Sequence, residues 1–239
     1  MDIYKVHDLT ELLSGNPYPG RGIIFGMTPD GAKAVAAYFI MGRSANSRNR
    51  VFVQRDGALF TEPYDASKVE DPSLIIYAAV REWQNFLIVT NGDQTDTIVE
   101  GLQKGVLWHM ALAVRTFEPD APNFTPRISG VQNFLDGRFY YQFSILKSVD
   151  TEGSGCVRQA FGYPPRPGVG HFLHTYVTDG NPIPSFVGEP ERVETLDDID
   201  AFTDKLWNAL NEDNKISLYV RYTDLKTLEK EERIVNKNK

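Results

Sequence analysis

The chain has 239 residues, 41% apolar and 24% charged, enough for one large domain or two small ones with a real core. A net charge of −7 argues against general nucleic-acid binding, and no apolar run is long enough to span a bilayer. The opening MDIYKVHDLTELLSG lacks the apolar core of a signal peptide, and the lone Cys156 excludes an internal disulfide framework, so a reducing, cytoplasmic setting is expected.

Residues 1–17 read as a polar extension ending in the turn-rich Asn16-Pro-Tyr-Pro-Gly20. Strands are expected at 21–28 and 32–41 around Pro29-Asp30-Gly31, and at 51–55 and 58–62 around Asp56-Gly57. The apolar 74–83 pairs most economically as a strand with 86–90. Helical periodicity follows at 93–104 and 106–117, broken at Gly105. Three prolines stiffen 118–126 as a loop, before a hairpin of 127–134 and 138–147 around Asp136-Gly137. Strands at 156–163 and 171–178, a helix at 196–210 and a strand at 216–222 complete the pattern, with loops at 164–167 and 182–190. The charged tail, 226–239, is expected to fray. Regular βαβ repeats are missing, so the order predicts an α+β fold with two mainly antiparallel sheets between helical layers. The whole of 1–239 reads as a single domain.

Charge is unevenly spread. Between Arg21 and Arg55 six bases face one acid, whereas Glu189 to Asp213 carries nine acids and two bases. The basic cluster peaks in Arg43-Ser-Ala-Asn-Ser-Arg-Asn-Arg50, which joins two strands and contains no acid. Guanidinium forks and side-chain amides (Arg43, Asn46, Arg48, Asn49, Arg50) suit a small anion such as a phosphate; a solvated basic turn is the alternative. Asn91-Gly-Asp-Gln-Thr-Asp-Thr97 lies where a strand gives way to a helix, either an oxygen-binding junction or an ordinary turn and cap. Arg127 starts a strand after the stiffened loop, and Glu118 opens that loop.

Tyr18-Pro-Gly-Arg21, the Arg43-Ser and Asn49-Arg50 pairs, Thr90-Asn-Gly with Thr95-Asp-Thr-Ile98, and Thr125-Pro-Arg-Ile128 occur in this order. Together they resemble the archaeal-type IMP cyclohydrolase family, over about residues 18 to 130. The resemblance implies an N-terminal-nucleophile-hydrolase-like fold, a four-layer αββα sandwich, used without a processed N-terminal nucleophile; Met1 is no Thr, Ser or Cys. It implies a hydrolase acting on a cyclic amidine, which in the biosynthetic direction closes 5-formamidoimidazole-4-carboxamide ribonucleotide (FAICAR) to IMP and water, the last step of purine synthesis. Both reacting groups sit on one imidazole, so no metal or cofactor is required; the partner is a small nucleotide, with no nucleic acid or membrane, and homo-oligomerisation is left open.

The catalytic set implied is Tyr77, which follows Asp71-Pro72, with Glu118 and Arg50. Substrate contacts are expected from Arg21, Arg43, Asn46, Arg48, Asn49, Asn91, Gly92, Thr95, Asp96 and Arg127. Tyr77 is suited to protonating the departing oxygen, and Glu118 to taking the carboxamide proton. Two other readings are an amidohydrolase of the same fold, marked by a mature N-terminal Ser, Thr or Cys, and a nucleotide-binding protein without turnover. His171 and His174 fall on opposite faces of an expected strand, so no metal site is expected there.

Overall fold

The computed structural model describes residues 4–69, 76–135 and 137–238, and its apolar strands form two antiparallel sheets. The Asp71-Pro72 pair before Tyr77, residues 74–75 of the strand expected at 74–83, Asp136 and Met1 lie outside the described residues. The first sheet is built on the hairpin of β1 (Arg21–Met27) and β2 (Lys33–Met41). Beside β1 lie β10 (Val169–His174) and then β11 (Glu191–Glu194); beside β2 lie β12 (Lys215–Asp224) and then β13 (Lys230–Asn236).

The second sheet is a meander in chain order: β3 (Arg50–Arg55), β4 (Ala58–Pro63), β5 (Tyr77–Trp83), β6 (Phe86–Thr90), β7 (Arg127–Asn133), β8 (Tyr140–Ser148) and β9 (Cys156–Tyr163). At the β3–β4 turn Asp56 and Gly57 both have positive φ, 51° and 72°, the geometry whose twist matches a two-residue hairpin.

Strand alternation sorts the side chains into three apolar clusters. Between the sheets, Ile23, Phe25, Tyr38 and Ile40 of the first meet Phe52, Tyr77, Ala79, Tyr141 and Phe143 of the second. The rings of Phe25 and Phe143 stack at 5.2 Å, and Gly130 of β7 makes room for Phe25: an added Cβ would lie 2.5 Å from its Cε2. Burying each such ring contributes roughly 1.5–3 kcal/mol. The other face of the first sheet packs on α1 (Leu9–Ser14) and α5 (Ile199–Ala209), through Leu9, Leu13, Phe202 and Leu206. The other face of the second packs on α3 (Gln94–Gln103) and α4 (Trp108–Ala111), through Ile98, Trp108 and Leu112. Among the described residues no helix is long and apolar enough to cross a membrane.

Four expectations are corrected. The helix predicted at 106–117 is only α4 and a 3₁₀ turn at Leu112–Val114. Glu118 precedes Pro119, which disfavours helical backbone, and the chain is already extended at Arg115. Residues 9–14, taken as part of a polar extension, form α1 with Leu9 and Leu13 buried. The tail does not fray: β13 pairs with β12 from Ser217↔Asn236 to Thr223↔Lys230. The strand predicted at 171–178 runs instead from Val169 to His174.

Candidate active site

Period-two alternation sets the site at one mouth of the space between the sheets. Arg21 shares a face of β1 with Ile23 and Phe25, and Arg50 shares a face of β3 with Phe52; all three apolar residues belong to the inter-sheet cluster. Tyr38 and Tyr77 belong to that cluster too, and their hydroxyls meet at 3.1 Å. The first residues of β1 and β3 thus bring two guanidiniums to one end of the interior. The connection between β2 and β3 crosses from one sheet to the other and contains α2 (Ala45–Arg48), not the open loop expected from sequence. A reciprocal capping box between Ser44 and Ser47 starts it.

The result is a cleft of about 240 Å³ lined by Arg21, Arg43, Asn46, Arg50 and Glu118, with Tyr18, Ser44, Ser47, Asp120, Asn123, Thr125, Tyr176 and Ile183 completing the wall. Arg50 is 5% exposed and Glu118 9%. The Nε atoms of Arg21 and Arg50 and Oδ1 of Asn46 are buried without a hydrogen-bond partner among the described residues. Such atoms are rare in folded proteins, and in this cleft a water or a polar ligand can satisfy them. A larger cleft, about 470 Å³, lies by α1 and β10 beside His174 and Glu191, but contains none of the motif residues.

Electrostatics couple the group. Burial pushes the Arg50 guanidinium down and Arg21 adds to this, while Tyr77, Glu118 and Tyr38 oppose it. Arg21 is also penalised by burial, but its neighbours Tyr18, Tyr176, Glu118 and Tyr77 leave it raised overall. Both stay cationic. Burial raises the Glu118 carboxyl above its ordinary range, against the pull of Arg21, Arg127 and Arg50. Burial also raises Tyr38, which keeps its phenol protonated beside Tyr77.

Glu118 is held by its loop. Its N–H donates to the Thr125 carbonyl at 2.9 Å, and the Thr125 N–H donates to Asp120 Oδ1 at 2.6 Å. Thr125 Oγ1 lies 2.6 Å from the Tyr176 hydroxyl, and the Tyr176 ring stacks on Tyr18 at 5.8 Å. Arg43 stands at the rim, 5.1 Å over the Tyr18 ring, bonded to Asp179 and to the Gly180 carbonyl.

Several predicted contacts serve the scaffold instead. The Asn91 amide is spent on backbone: Oδ1 accepts from Ile128 N–H at 2.8 Å, and Nδ2 donates to the Pro126 carbonyl at 2.9 Å. Thr95 Oγ1 pairs with Thr90 Oγ1 at 2.6 Å. Arg127 shares a face of β7 with Val131, on the helical side, and its Nη1 donates to Asp93 Oδ1 and Gln94 Oε1 at 2.7 and 2.8 Å. It stands 4.0 Å from Glu118 Oε1 and so backs the cleft without lining it. Gly92 allows this approach, since a Cβ there would lie 2.6 Å from Arg127 Nη1. Asp96 pairs with Arg81 at 2.8 Å on the surface. Arg48 turns away to the Gly42 carbonyl and Asn214, and Asn49 is bonded to the backbone of Asp65. Sequence reasoning missed Tyr38, Asn123, Tyr176 and Ile183 as neighbours of the site. Tyr176 follows β10, and only the pairing of β10 with β1 brings it beside Arg21.

The family model described as "IMP cyclohydrolase-like protein" matches residues 18–228. The chain is 37% identical over 146 residues to the "IMP cyclohydrolase" of Methanopyrus kandleri, which covers 57% of this chain and 72% of that protein. It is 34% identical over 118 residues to the protein of the same name from Haloarcula marismortui, and 31% over 117 residues to that from Methanothrix thermoacetophila. These two matches cover 48% of this chain and 54% and 57% of the relatives, so the chain spans little more than half their length.

Proposed function

The chain belongs to the IMP cyclohydrolase-like family, and from that premise we propose that it is an IMP cyclohydrolase, closing FAICAR to IMP and water as the last step of purine synthesis. The observation that carries this reading is the convergence of Arg21, Arg50 and Glu118, from separate motifs, on one cleft; the Tyr38–Tyr77 pair does not line it but acts electrostatically on Arg50. We further propose that the chain is a single domain with the αββα layering of N-terminal-nucleophile-hydrolase-like folds, acting in the cytoplasm. Two sheets with one apolar cluster between them and one on each outer face support that assignment.

In the reaction a new bond joins the carboxamide nitrogen to the formyl carbon. The carboxamide nitrogen loses one proton and the formamide nitrogen loses the other, and the formyl oxygen gains both and leaves as water. Because the reacting groups share one ring, proximity is largely supplied by the substrate. The protein selects the reactive rotamer, moves protons and stabilises charge. Glu118, ionised above its raised pKa, takes the proton from nitrogen. Tyr77, oriented by Tyr38, delivers a proton to oxygen. Arg50, coupled to both Tyr77 and Glu118, stabilises the oxyanion formed on the formyl carbon. Arg21 and the rim residue Arg43 both adjoin Tyr18 and hold the phosphate. Adding FAICAR to the purified, metal-stripped protein and following absorbance tests the reading. Formation of IMP at a rate that Glu118→Gln abolishes is expected; IMP binding without any turnover of FAICAR would reject catalysis.

A further inference from the structure

A second opening of the inter-sheet space lies at the far end of β10. Strand alternation puts His171 on the same face as Leu173, toward the second sheet. Its ring stacks on Tyr163 of β9 with centroids 3.5 Å apart, and Nδ1 lies 2.8 Å from the Tyr141 hydroxyl of β8. The cleft it enters has a volume of about 320 Å³, with Tyr4, Arg166 and Arg192 around it, and shares no lining residue with the cleft at Arg21 and Arg50. His171 pairs with Phe25, four residues along β1 from Arg21, which separates the two openings by roughly 13 Å of strand.

The proton on His171 follows from its partner. Burial raises Tyr141, so its phenol stays protonated, and Nδ1 is the acceptor in reach of its hydrogen. With the phenol as donor, Nδ1 accepts and Nε2 carries the ring hydrogen. His171 is 5% exposed, and Nε2 is buried without a hydrogen-bond partner among the described residues. A buried N–H left unpaired costs roughly 1–3 kcal/mol, so this one needs an acceptor. Two cations flank it: Arg166 and Arg192 both depress the ring's basicity, after burial, to about 4. The wall is built by the N-terminal segment, which runs along β11 through His7 N–H to the Arg192 carbonyl at 2.8 Å and Glu194 N–H to the His7 carbonyl at 3.1 Å. That segment precedes residue 18, where the family match begins.

We propose that this cleft is a binding site for a small oxyanion, a phosphate or carboxylate group, which accepts from His171 Nε2–H and lies between Arg166 and Arg192. The neutral imidazole supplies direction and the guanidiniums supply charge. Glu189 and Glu191 act on Tyr163 against Arg192, so carboxylates offset the guanidiniums and a singly charged group is favoured over a polyanion.

The test reads the site itself. In the full-length protein the His171 ring resonance is followed by NMR while inorganic phosphate or acetate is added, and is assigned by its loss in Tyr141→Phe/His171→Phe. That pair removes both polar partners together and strands no buried hydroxyl. A saturable shift of the His171 signal is expected with at least one anion, together with a rise in the ring's pKa from about 4. Arg166→Gln, on an exposed residue, should weaken the affinity at least tenfold. Phosphate alone giving the shift would assign a phosphate-bearing ligand, and acetate alone a carboxylate. No saturable shift with either anion, or one that Arg166→Gln leaves intact, overturns the proposal. The readout is local to His171, so the result does not depend on the chemistry assigned to the other cleft.

Discussion

Replacing Arg50 by methionine should make the ligand-free protein more stable and the enzyme much slower. The side chain is 5% exposed, its Nε has no partner among the described residues, and Arg21 repels it. It also has no ion pair among the described residues within 4.0 Å, and the coupling to Glu118 and Tyr77 is longer-ranged. A buried cation so placed is a net cost to the fold, and exchanging buried charges for apolar groups of similar size has stabilised proteins by about 1–4 kcal/mol. The cleft is open to water, so the lower half of that range applies. At about 2–4 °C per kcal/mol for a chain of this size, Tm should rise by about 2–10 °C. Loss of one oxyanion donor should lower kcat by about 10²–10³-fold, with IMP affinity nearly unchanged because IMP has lost the formyl oxygen. Arg50 also lowers the Glu118 pKa, so the acid limb of kcat/KM should move to higher pH in the variant. Calorimetry, steady-state kinetics on FAICAR and IMP titration measure the three effects. A lower Tm together with kcat within tenfold of the parent would refute the reasoning, since Arg50 would then be a structural ion.

Tyr77→Phe should reduce kcat by about 10²–10⁴-fold, and Tyr38→Phe by a smaller factor if, as proposed, Tyr38 acts by orienting Tyr77; if KM rather than kcat moves in Tyr38→Phe, the pair is a binding contact. The folded protein raises the Glu118 pKa and therefore disfavours its ionised form, so the penalty is absent below the ordinary carboxylate value and grows as pH rises through the raised one. Urea melts of Glu118→Gln should show its stability advantage growing across that window, while the acid limb of kcat/KM in the parent lies at the same raised pKa. An acid limb at the ordinary value of about 4.3 would exclude Glu118 as the base. Gly130→Ala should cost about 1–3 kcal/mol in urea unfolding by driving a methyl into Phe25; a cost near zero would mean that the sheets are not closely packed there.

Strands were legible because their signals are local. Pro29-Asp30-Gly31 and Asp56-Gly57 each turn the chain within two or three residues, and both flanking hairpins form where expected. The same local logic fails for the ends of the chain. Polar residues fill most of 230–236, yet β13 is a strand because the edge of β12 is beside it. Likewise α1 is too short to be read from periodicity, and forms on the buried surface that α5 offers Leu9 and Leu13.

Within the site, residue type was legible and partner was not. Arg48 and Arg50 look alike in a basic segment, but the capping box at Ser44 spends one turn on 45–48. Arg48 is thereby directed to Gly42 and Asn214, and Arg50 enters β3 on the face it shares with Phe52. Asn91 has the right amide in the right motif, yet its hydrogen bonds go to Pro126 and Ile128, which fixes the start of β7 and hence Arg127 behind Glu118. The motif then serves chemistry at one remove. Asn91 fixes the backbone on either side of Arg127, Gly92 leaves it room, and Asp93 and Gln94 bond it; the arginine lies 4.0 Å from the carboxylate, and the carboxylate faces the cleft. A substitution at Asn91 should therefore act on catalysis through Glu118, as a displaced acid limb in the pH profile, before it acts on the affinity for IMP.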